Sequence, residues 1–314
     1  MFKEINDRED VMNHVGKWMA AGLMLLMLAA CGNGPEKQLP KHVVMIGIDG
    51  WSDAEWEEAE MPFVKSLQQR GAWTLDKRCV IPTASAINWM TLFSGVQPEY
   101  HGYFRWNSRR PDFSPAYTDA RGEVPTIFRL ERDQHPESRM LVTYEWDVIR
   151  SLVDSVAVDD VVPFEQSAEG DSIEVAYAAQ YFKENRPDFS LIYFGNLDHT
   201  GHEFGWKSEE YHAYLTHMDG IVKSIVEAVR EAGMEEETVF VLTTDHGGWE
   251  KSHGGKYYDD VLKTPLLIWG KGIKKGYEIT APTIQMDVTA TLAALLGVET
   301  PAHWTGRVME EIFE

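Results

Sequence analysis

Three apolar runs in this chain end in an aspartate: Ile48-Asp49-Gly50, Asn196-Leu197-Asp198 and Thr243-Thr244-Asp245. Taken singly, such an aspartate is as readily a helix N-cap as a ligand. Two of them, however, are followed by imidazoles in glycine-bearing segments. Asp198 precedes His199-Thr200-Gly201-His202, and Asp245 precedes His246-Gly247-Gly248-Trp249-Glu250-Lys251-Ser252-His253. Glycine lets the backbone turn tightly around an ion. Mixed carboxylate and imidazole donors suit Zn2+ or a similar borderline cation better than Ca2+ or Mg2+, which favour all-oxygen shells. The remaining histidines, at 14, 42, 101, 135, 199, 212, 217 and 303, read as surface or core positions. His212 and His217 lie on a helical stretch with no carboxylate at ligand spacing.

A nucleophile candidate comes from Val80-Ile81-Pro82-Thr83-Ala84-Ser85, where a strand runs into Pro82 and a helix begins at Ser85, to be stopped by Gly95. That places the Ser85 hydroxyl at a helix N-terminus, where the dipole and free N–H groups favour an anion. A serine at a helix start commonly does nothing more than cap it. A cation beside Ser85 would supply the lowered alkoxide pKa that a cap lacks.

These residues need a scaffold that brings distant segments to one edge. From 42 onward the chain alternates apolar runs with amphipathic stretches, which predicts an α/β three-layer sandwich with a central, mostly parallel sheet. Strands are expected over 42–48, 73–81, 139–143, 189–194, 238–242 and 265–269, all rich in β-branched or aromatic residues. Pro62 and Gly71 bracket one helix and Pro125 opens another. Asp171 with Glu174 forms a capping-box pattern ahead of 175–185, and 208–232, closed by Gly233, is the longest helical stretch. Ligands of open α/β sheets bind beyond the carboxyl ends of the strands, so the three aspartates are expected to converge there.

Composition narrows the partners. The chain has 314 residues, with 29 Lys+Arg against 50 Asp+Glu and a net charge of -21, which argues against a nucleic-acid polymer as ligand. An anionic substrate must be held locally, by cations. The apolar run 19–30 ends in Leu28-Ala29-Ala30-Cys31-Gly32 and resembles a bacterial lipoprotein signal, with Cys31 as the lipidated residue. Residues 1–11 are acidic, and a start at Met12 would give the basic n-region such signals carry. The expected organisation is a signal and lipidation cysteine over 1–31, a tether over 32–40 and a single catalytic domain over 41–314. It implies a lipid-anchored protein of a bacterial cell envelope, facing the periplasm or exterior. The only other cysteine, Cys79, then has no disulfide partner.

Six stretches together resemble the type I phosphodiesterase and nucleotide pyrophosphatase branch of the alkaline phosphatase superfamily. They are MIGIDGW at 45–51, PTASAIN at 82–88 running into FSGVQPEYHGY at 93–103, LDHTGHEFG at 197–205, TTDHGGWEKSHGG at 243–255, QMDVTATLAALLG at 285–297 and GRVMEEIF at 306–313. The resemblance implies an alkaline-phosphatase-like fold and a hydrolase of phosphodiester or pyrophosphate bonds in small phosphate esters. It also implies two divalent ions, Zn2+ by donor type. Asp49, Ser85, Asp245 and His246 would hold one, and Asp198, His202 and His253 the other, roughly 4 Å away. Ser85 would attack phosphorus to give a phosphoryl-serine. Asn88 resembles the family asparagine that hydrogen-bonds a phosphoryl oxygen, and His101 would be structural.

The chain departs from the family where Thr is usually followed by Phe-Pro-Asn; here Ser85-Ala86-Ile87-Asn88 stands instead. The missing aromatic could be replaced by Trp51, Trp89, Tyr103 or Trp106. The basic stretch Arg105-Trp106-Asn107-Ser108-Arg109-Arg110 could meet a second anionic group, or equally be a solvated loop paired with acids. Trp51 and Asn107 are thus the candidate substrate contacts. A sulfatase on the same fold would need a proline and an arginine after the nucleophile, and a phosphomonoesterase an arginine beside it. Ser85-Ala86-Ile87-Asn88-Trp89 has neither. A non-catalytic surface lipoprotein would have lost ligands, whereas all six Asp and His positions are filled. Neither the physiological substrate nor the oligomeric state is written in these motifs.

Overall fold

The computed structural model describes residues 39–255 and 257–314. The expected signal segment with Cys31, and all of the expected tether before Leu39, lie outside the described residues. The strands are β1 (His42–Ile48), β2 (Gly71–Arg78), β3 (Met140–Tyr144), β4 (Asp160–Pro163), β5 (Phe189–Phe194), β6 (Thr238–Thr243), β7 (Lys263–Gly270), β8 (Tyr277–Glu278) and β9 (Thr283–Ile284). They form one sheet in the order β4-β3-β5-β1-β6-β7-β2-β8, with β9 also on β2. The run from β4 to β6 is parallel, and β7 is antiparallel to both of its neighbours. The six expected strands are present within a few residues. The pairs and tetrads β4, β8 and β9 are too short to leave a periodic signal.

Every residue of β1, β5 and β6 is buried, as central parallel strands covered on both faces require. Alternation along β1 feeds two cores. Val43 and Met45 point to one, and Val44, Ile46 and Ile48 to the other. The first core packs under α1 (Ser85–Ser94), α2 (Ile127–Gln134) and α6 (Gln285–Leu296), through Trp89, Phe93, Phe128 and Leu292. The second packs under α3 (Ala168–Asn185) and α5 (Glu209–Glu231), through Phe182, Leu215, Val222 and Val229. Each such side chain contributes about 1.5–3 kcal/mol on burial, so the sheet between these layers is a rigid platform for the loops at its edge. Among the described residues no helix is long and apolar enough to cross a membrane, and Cys79 is buried and free.

Helix α1 starts one residue earlier than a serine cap would place it. Its N-cap is the extended Ala84, and Ser85 is its first residue, which frees the hydroxyl for other contacts. Gly95 ends the helix in the left-handed region at φ 66°. The capping-box reading of Asp171 and Glu174 is corrected: Ser167 caps α3 by accepting the Gly170 N–H at 3.0 Å. Both acids are instead buried on the inner face of the helix. Ser208 caps α5, accepting from Tyr211 N at 3.2 Å.

Because β5, β1 and β6 are neighbours, their carboxyl ends lie side by side. Asp49 follows β1 directly and Asp245 lies two residues beyond β6. Asp198 sits in the first turn of α4 (Asn196–Phe204), which leaves β5. Strand order alone therefore draws three carboxylates from 49, 198 and 245 to one edge.

Candidate active site

Asp49 is buried and held from behind. Its Oδ2 accepts from Trp89 Nε1 at 2.8 Å and from the Tyr193 hydroxyl at 2.6 Å. Its Oδ1 is left facing Ser85 Oγ at 3.5 Å and His246 Nε2 at 3.7 Å. Ser85 Oγ lies 3.1 Å from His246 Nε2, which is itself 3.1 Å from Asp245 Oδ2. Asp245 Oδ1 accepts the Gly50 N–H at 3.1 Å. Gly50 has φ 74°, and a Cβ there would come within 2.8 Å of Asp198 Cβ, so only glycine lets β1 turn past the Asp198 side chain.

The second group is Asp198, His202 and His253. Asp198 Oδ2 is 3.5 Å from His202 Nε2, and Oδ1 is 3.7 Å from His253 Nε2. All three imidazoles are oriented alike. Nδ1 of His246, His253 and His202 donates to the carbonyls of Gly247 (3.0 Å), Thr83 (2.6 Å) and Lys251 (3.0 Å). A ring whose Nδ1–H is so engaged presents a bare Nε2, the arrangement that orients metal-ligating histidines. The Thr83 hydroxyl returns the contact, donating to the His253 carbonyl at 2.6 Å.

Two features show that cations fit. Asp245 Oδ2 and Asp198 Oδ1 are buried oxygens with no hydrogen-bond donor, a costly state unless an ion or proton meets them. The Nε2 atoms of His202 and His253 face each other at 3.1 Å, lone pair to lone pair. In each trio the donor atoms lie within 4.8 Å of one another. Burial, then the Asp198 carboxylate, pushes Asp49 up to about 8. Burial, then the Asp49 carboxylate, pushes Asp245 well above the usual carboxylate range. Burial holds His246 and His253 below the ordinary imidazole value. Neutral imidazoles beside carboxylates that resist standing charged alone are the donor chemistry of a cation site.

The site opens into a cleft of about 490 Å3 whose walls include Ser85, Trp106, Trp146, Gln166, Tyr193 and His202. Trp106 is 61% exposed, and its ring lies 13° from parallel with that of Trp146, centroids 6.4 Å apart. No lysine or arginine is among the described residues lining the cleft.

Three expected site residues are placed elsewhere. Asn88 is fully buried. Its amide donates to the carbonyls of Val80, Pro82 and Ala84 at 3.2–3.3 Å, and its oxygen accepts from Val80 N at 2.7 Å. It braces the loop that delivers Ser85 and has no donor left for a phosphoryl oxygen. Trp51 is buried against Trp56, with centroids 5.9 Å apart, and is core rather than a substrate contact. Asn107 is exposed and outside the cleft lining; its neighbour Trp106 lines the cleft and takes the Ala86 N–H on its carbonyl at 3.1 Å. His101 is structural as expected: Tyr103 N donates to its Nδ1 at 3.1 Å, and its Nε2 lies 3.0 Å from Thr91 Oγ1. His212 and His217 do have carboxylate partners, Glu55 at 2.5 Å and Asp171 at 2.8 Å, brought from other elements.

Other supporting residues left no mark in the sequence. Lys77 is wholly buried. It donates to the Thr244 carbonyl at 2.9 Å and to Gln285 Oε1, while Gln285 Nε2 donates to the Asp245 carbonyl at 2.7 Å. Burial pulls Lys77 down to about 7. Glu145 Oε2 accepts from Gly195 N at 2.7 Å and Asn196 N at 3.2 Å, capping the helix that carries Asp198 and His202. Burial, then Asp171, pushes Glu145 up to about 11. A proton kept on Glu145 would be shared with Asp171 and would meet the otherwise unpartnered Glu145 Oε1 and Asp171 Oδ1. Gln at 145 supplies the same acceptor and donor. Glu145→Ala is thus expected to weaken divalent-ion affinity by about 10–100-fold, as loss of an outer partner does, and Glu145→Gln to leave it nearly unchanged. Competition titration against a chromophoric chelator checks this, and equal affinity in all three proteins would refute the bracing role.

Residues 43–289 match the family described as Type I phosphodiesterase / nucleotide pyrophosphatase. GPI ethanolamine phosphate transferase 1 of Neurospora crassa is 31% identical over 151 residues, covering 41% of this chain and 15% of that protein. Ectonucleotide pyrophosphatase/phosphodiesterase family member 1 of Homo sapiens is 23% identical over 231 residues, covering 67% of this chain and 24% of that protein. The chain thus spans a quarter or less of the length of these two relatives. Among solved structures, an inactive murine ectonucleotide pyrophosphatase / phosphodiesterase 5 in complex with AMP superposes with a TM-score of 0.72 at 13% identity, covering 87% of this chain and 100% of that one. A mutant of alkaline phosphatase PafA gives 0.70 at 11% identity, covering 90% and 100%. These likenesses give the fold, alkaline-phosphatase-like as expected. The expected bacterial cell-envelope location is corrected: relatives matched by sequence include proteins of the eukaryotes Neurospora crassa, Candida glabrata and Homo sapiens.

Proposed function

The chain belongs to the type I phosphodiesterase / nucleotide pyrophosphatase family of phosphoric-ester hydrolases, and from that premise we propose that it cleaves phosphodiester or pyrophosphate bonds through a phosphoryl-Ser85 intermediate. The observation that carries this reading is the placement of Ser85 Oγ, 3.1 Å from His246 Nε2 and 3.5 Å from Asp49 Oδ1, at the floor of the cleft. Asp49, Ser85, Asp245 and His246 would hold one divalent ion, and Asp198, His202 and His253 a second, with Zn2+ favoured by the donors. Bound ions would lower the pKa of the Ser85 hydroxyl and offset charge on the departing oxygen.

The protein's own groups do the rest. Ser85 Oγ forms a bond to phosphorus as the bond to the leaving oxygen breaks, and the proton that Oγ gives up ends on that departing oxygen. Water then attacks phosphorus, the Oγ–P bond breaks, and one proton of that water restores the Ser85 hydroxyl while its oxygen stays on phosphorus. Trp89 and Tyr193 keep Asp49 aimed at this centre through the attack, so little reorganisation is needed. Trp106 and Trp146 form part of the wall of the cleft in which the ester would lie.

A diester or pyrophosphate is favoured over a monoester because the described lining of the cleft has no cationic side chain for the second charge of a monoester dianion. Asn88, where an arginine would serve, is spent on backbone. Turnover of bis-(p-nitrophenyl) phosphate is expected to exceed that of p-nitrophenyl phosphate in kcat/KM by at least about tenfold, or 1.4 kcal/mol in barrier. Monoester preference on ion-replete protein would overturn the diester assignment.

A further inference from the structure

A second depression, of about 490 Å3, lies outside the catalytic cleft and is bordered by four arginines, Arg109, Arg110, Arg121 and Arg150, against two acids, Glu123 and Asp154. In a chain with a net charge of -21 this grouping is out of keeping with the rest of the surface. Two of the four are committed: Arg121 bridges Asp119 and Asp154 at 2.6 Å each, and Arg109 meets Asp147 at 2.6 Å. The side chains of Arg110 and Arg150 make no hydrogen bond or ion pair with any described residue, although acids outnumber bases in the sequence. Of the described arginines, only Arg139 also has an unpartnered side chain, its backbone being bonded to Asp188, and it is not among the residues bordering this cavity. Guanidinium groups are planar forks suited to phosphate and sulfate oxygens, and the paired Arg109 and Arg121 fix the walls from which the free ones extend.

The two depressions share their boundary. Segment 105–110 gives Trp106 to the cleft and Arg109 and Arg110 to the arginine cavity. Segment 146–150 gives Trp146 to the cleft, Asp147 to the Arg109 pair and Arg150 to the cavity. We propose that the arginine cavity is a binding site for a tetrahedral oxyanion, a phosphate or sulfate group, gripped by Arg110 and Arg150. It stands apart from the catalytic reading, since it involves none of the residues around Ser85.

The test titrates inorganic sulfate and inorganic phosphate into the protein at constant ionic strength, with chloride as balance, and reads binding by calorimetry. Saturable binding is expected in the wild type, weakened at least about tenfold in Arg110→Ala/Arg150→Ala, and unchanged in Arg139→Ala. Because both side chains are exposed, the double variant should melt with the wild type in chloride alone. Equal sulfate binding by the double variant and the wild type overturns the proposal. A kinetic arm separates the sources of the anion. If the group arrives on a substrate, sulfate raises KM for a diester carrying a distal phosphate and spares bis-(p-nitrophenyl) phosphate. If a free anion is the ligand, sulfate acts alike on both. Loss of all hydrolysis would refute the catalytic proposal and leave the binding measurement standing.

Discussion

Ser85→Ala is expected to lower diester turnover by about 10^3-fold or more, equivalent to at least about 4 kcal/mol of barrier, while leaving the fold in place. The hydroxyl does not cap α1, whose N-cap is Ala84, and its contacts are to His246 and Asp49 alone. The loss of stability should therefore not exceed the value of a cap, about 1 kcal/mol. Divalent-ion content should fall little, because three other donors remain around that position. Calorimetric melting beside steady-state kinetics checks both halves, and rapid acid quench of the wild type should trap phosphate on Ser85. A variant retaining near wild-type turnover would mean that water attacks the ester directly and that the serine only supports an ion.

Removing divalent ions is expected to abolish activity and to make stability fall as pH rises. Asp49 is pushed up to about 8 from an ordinary 3.8, by burial and then by Asp198. Between those values the folded chain keeps a proton at Asp49 that the unfolded chain has released, so raising the pH favours unfolding across that window. Asp245, raised by burial and by Asp49, acts in the same direction. Divalent ions replace those protons and bind more tightly as the protons leave, so added Zn2+ should stabilise the protein more at pH 8 than at pH 5. Melting curves at both values and at pH 7, with chelator and with Zn2+, test the sign. Because the depressed His246 and His253 act in the opposite direction below about 6.5, the deciding comparison is between pH 7 and pH 8, and a chelated protein more stable at pH 8 than at pH 7 would contradict it. Elemental analysis should find about two ions per chain, as a two-ion centre requires, and about one in Asp198→Ala.

The parts of this site legible in the sequence are those whose local pattern and long-range role agree. Asp49, Asp198 and Asp245 each end an apolar run, so strand and candidate ligand are read in one stroke, and the glycines after Asp245 announce a loop that must bend. The bonds of Tyr193 and Trp89 to Asp49 are illegible for the opposite reason, and Trp89, a candidate for the missing aromatic, is buried behind Asp49 instead. Each sits in a stretch that looks purely apolar, and each finds Asp49 across 144 and 40 residues of chain. Asn88 misled because its spacing from Ser85 places it one helical turn on, beside the nucleophile, while the backbone of 80–84 had already claimed every donor and acceptor it owns. Asp171 and Glu174 satisfied a helix-start pattern, yet Ser167 begins the helix and the two acids serve buried partners, the Thr143 hydroxyl donating to Glu174 at 2.6 Å. In each miss a short-range pattern lost to a tertiary contact that no window of sequence contains.

Thr83 and His253 exchange two hydrogen bonds, hydroxyl to carbonyl in one direction and imidazole to carbonyl in the other. Thr83 lies two residues before Ser85, and His253 ends the loop that begins at Asp245. The clasp therefore rivets the arm bearing the proposed nucleophile to the arm bearing a proposed donor of the opposite ion position. If one arm breathes, the other travels with it, and the span between attack and departure stays constant while the rims of the cleft fluctuate. A change in the size of ester accepted then falls to cleft walls beyond the clasp, the exposed Trp106 ring and Trp146 among them, and leaves untouched the distance over which a phosphoryl group would be passed.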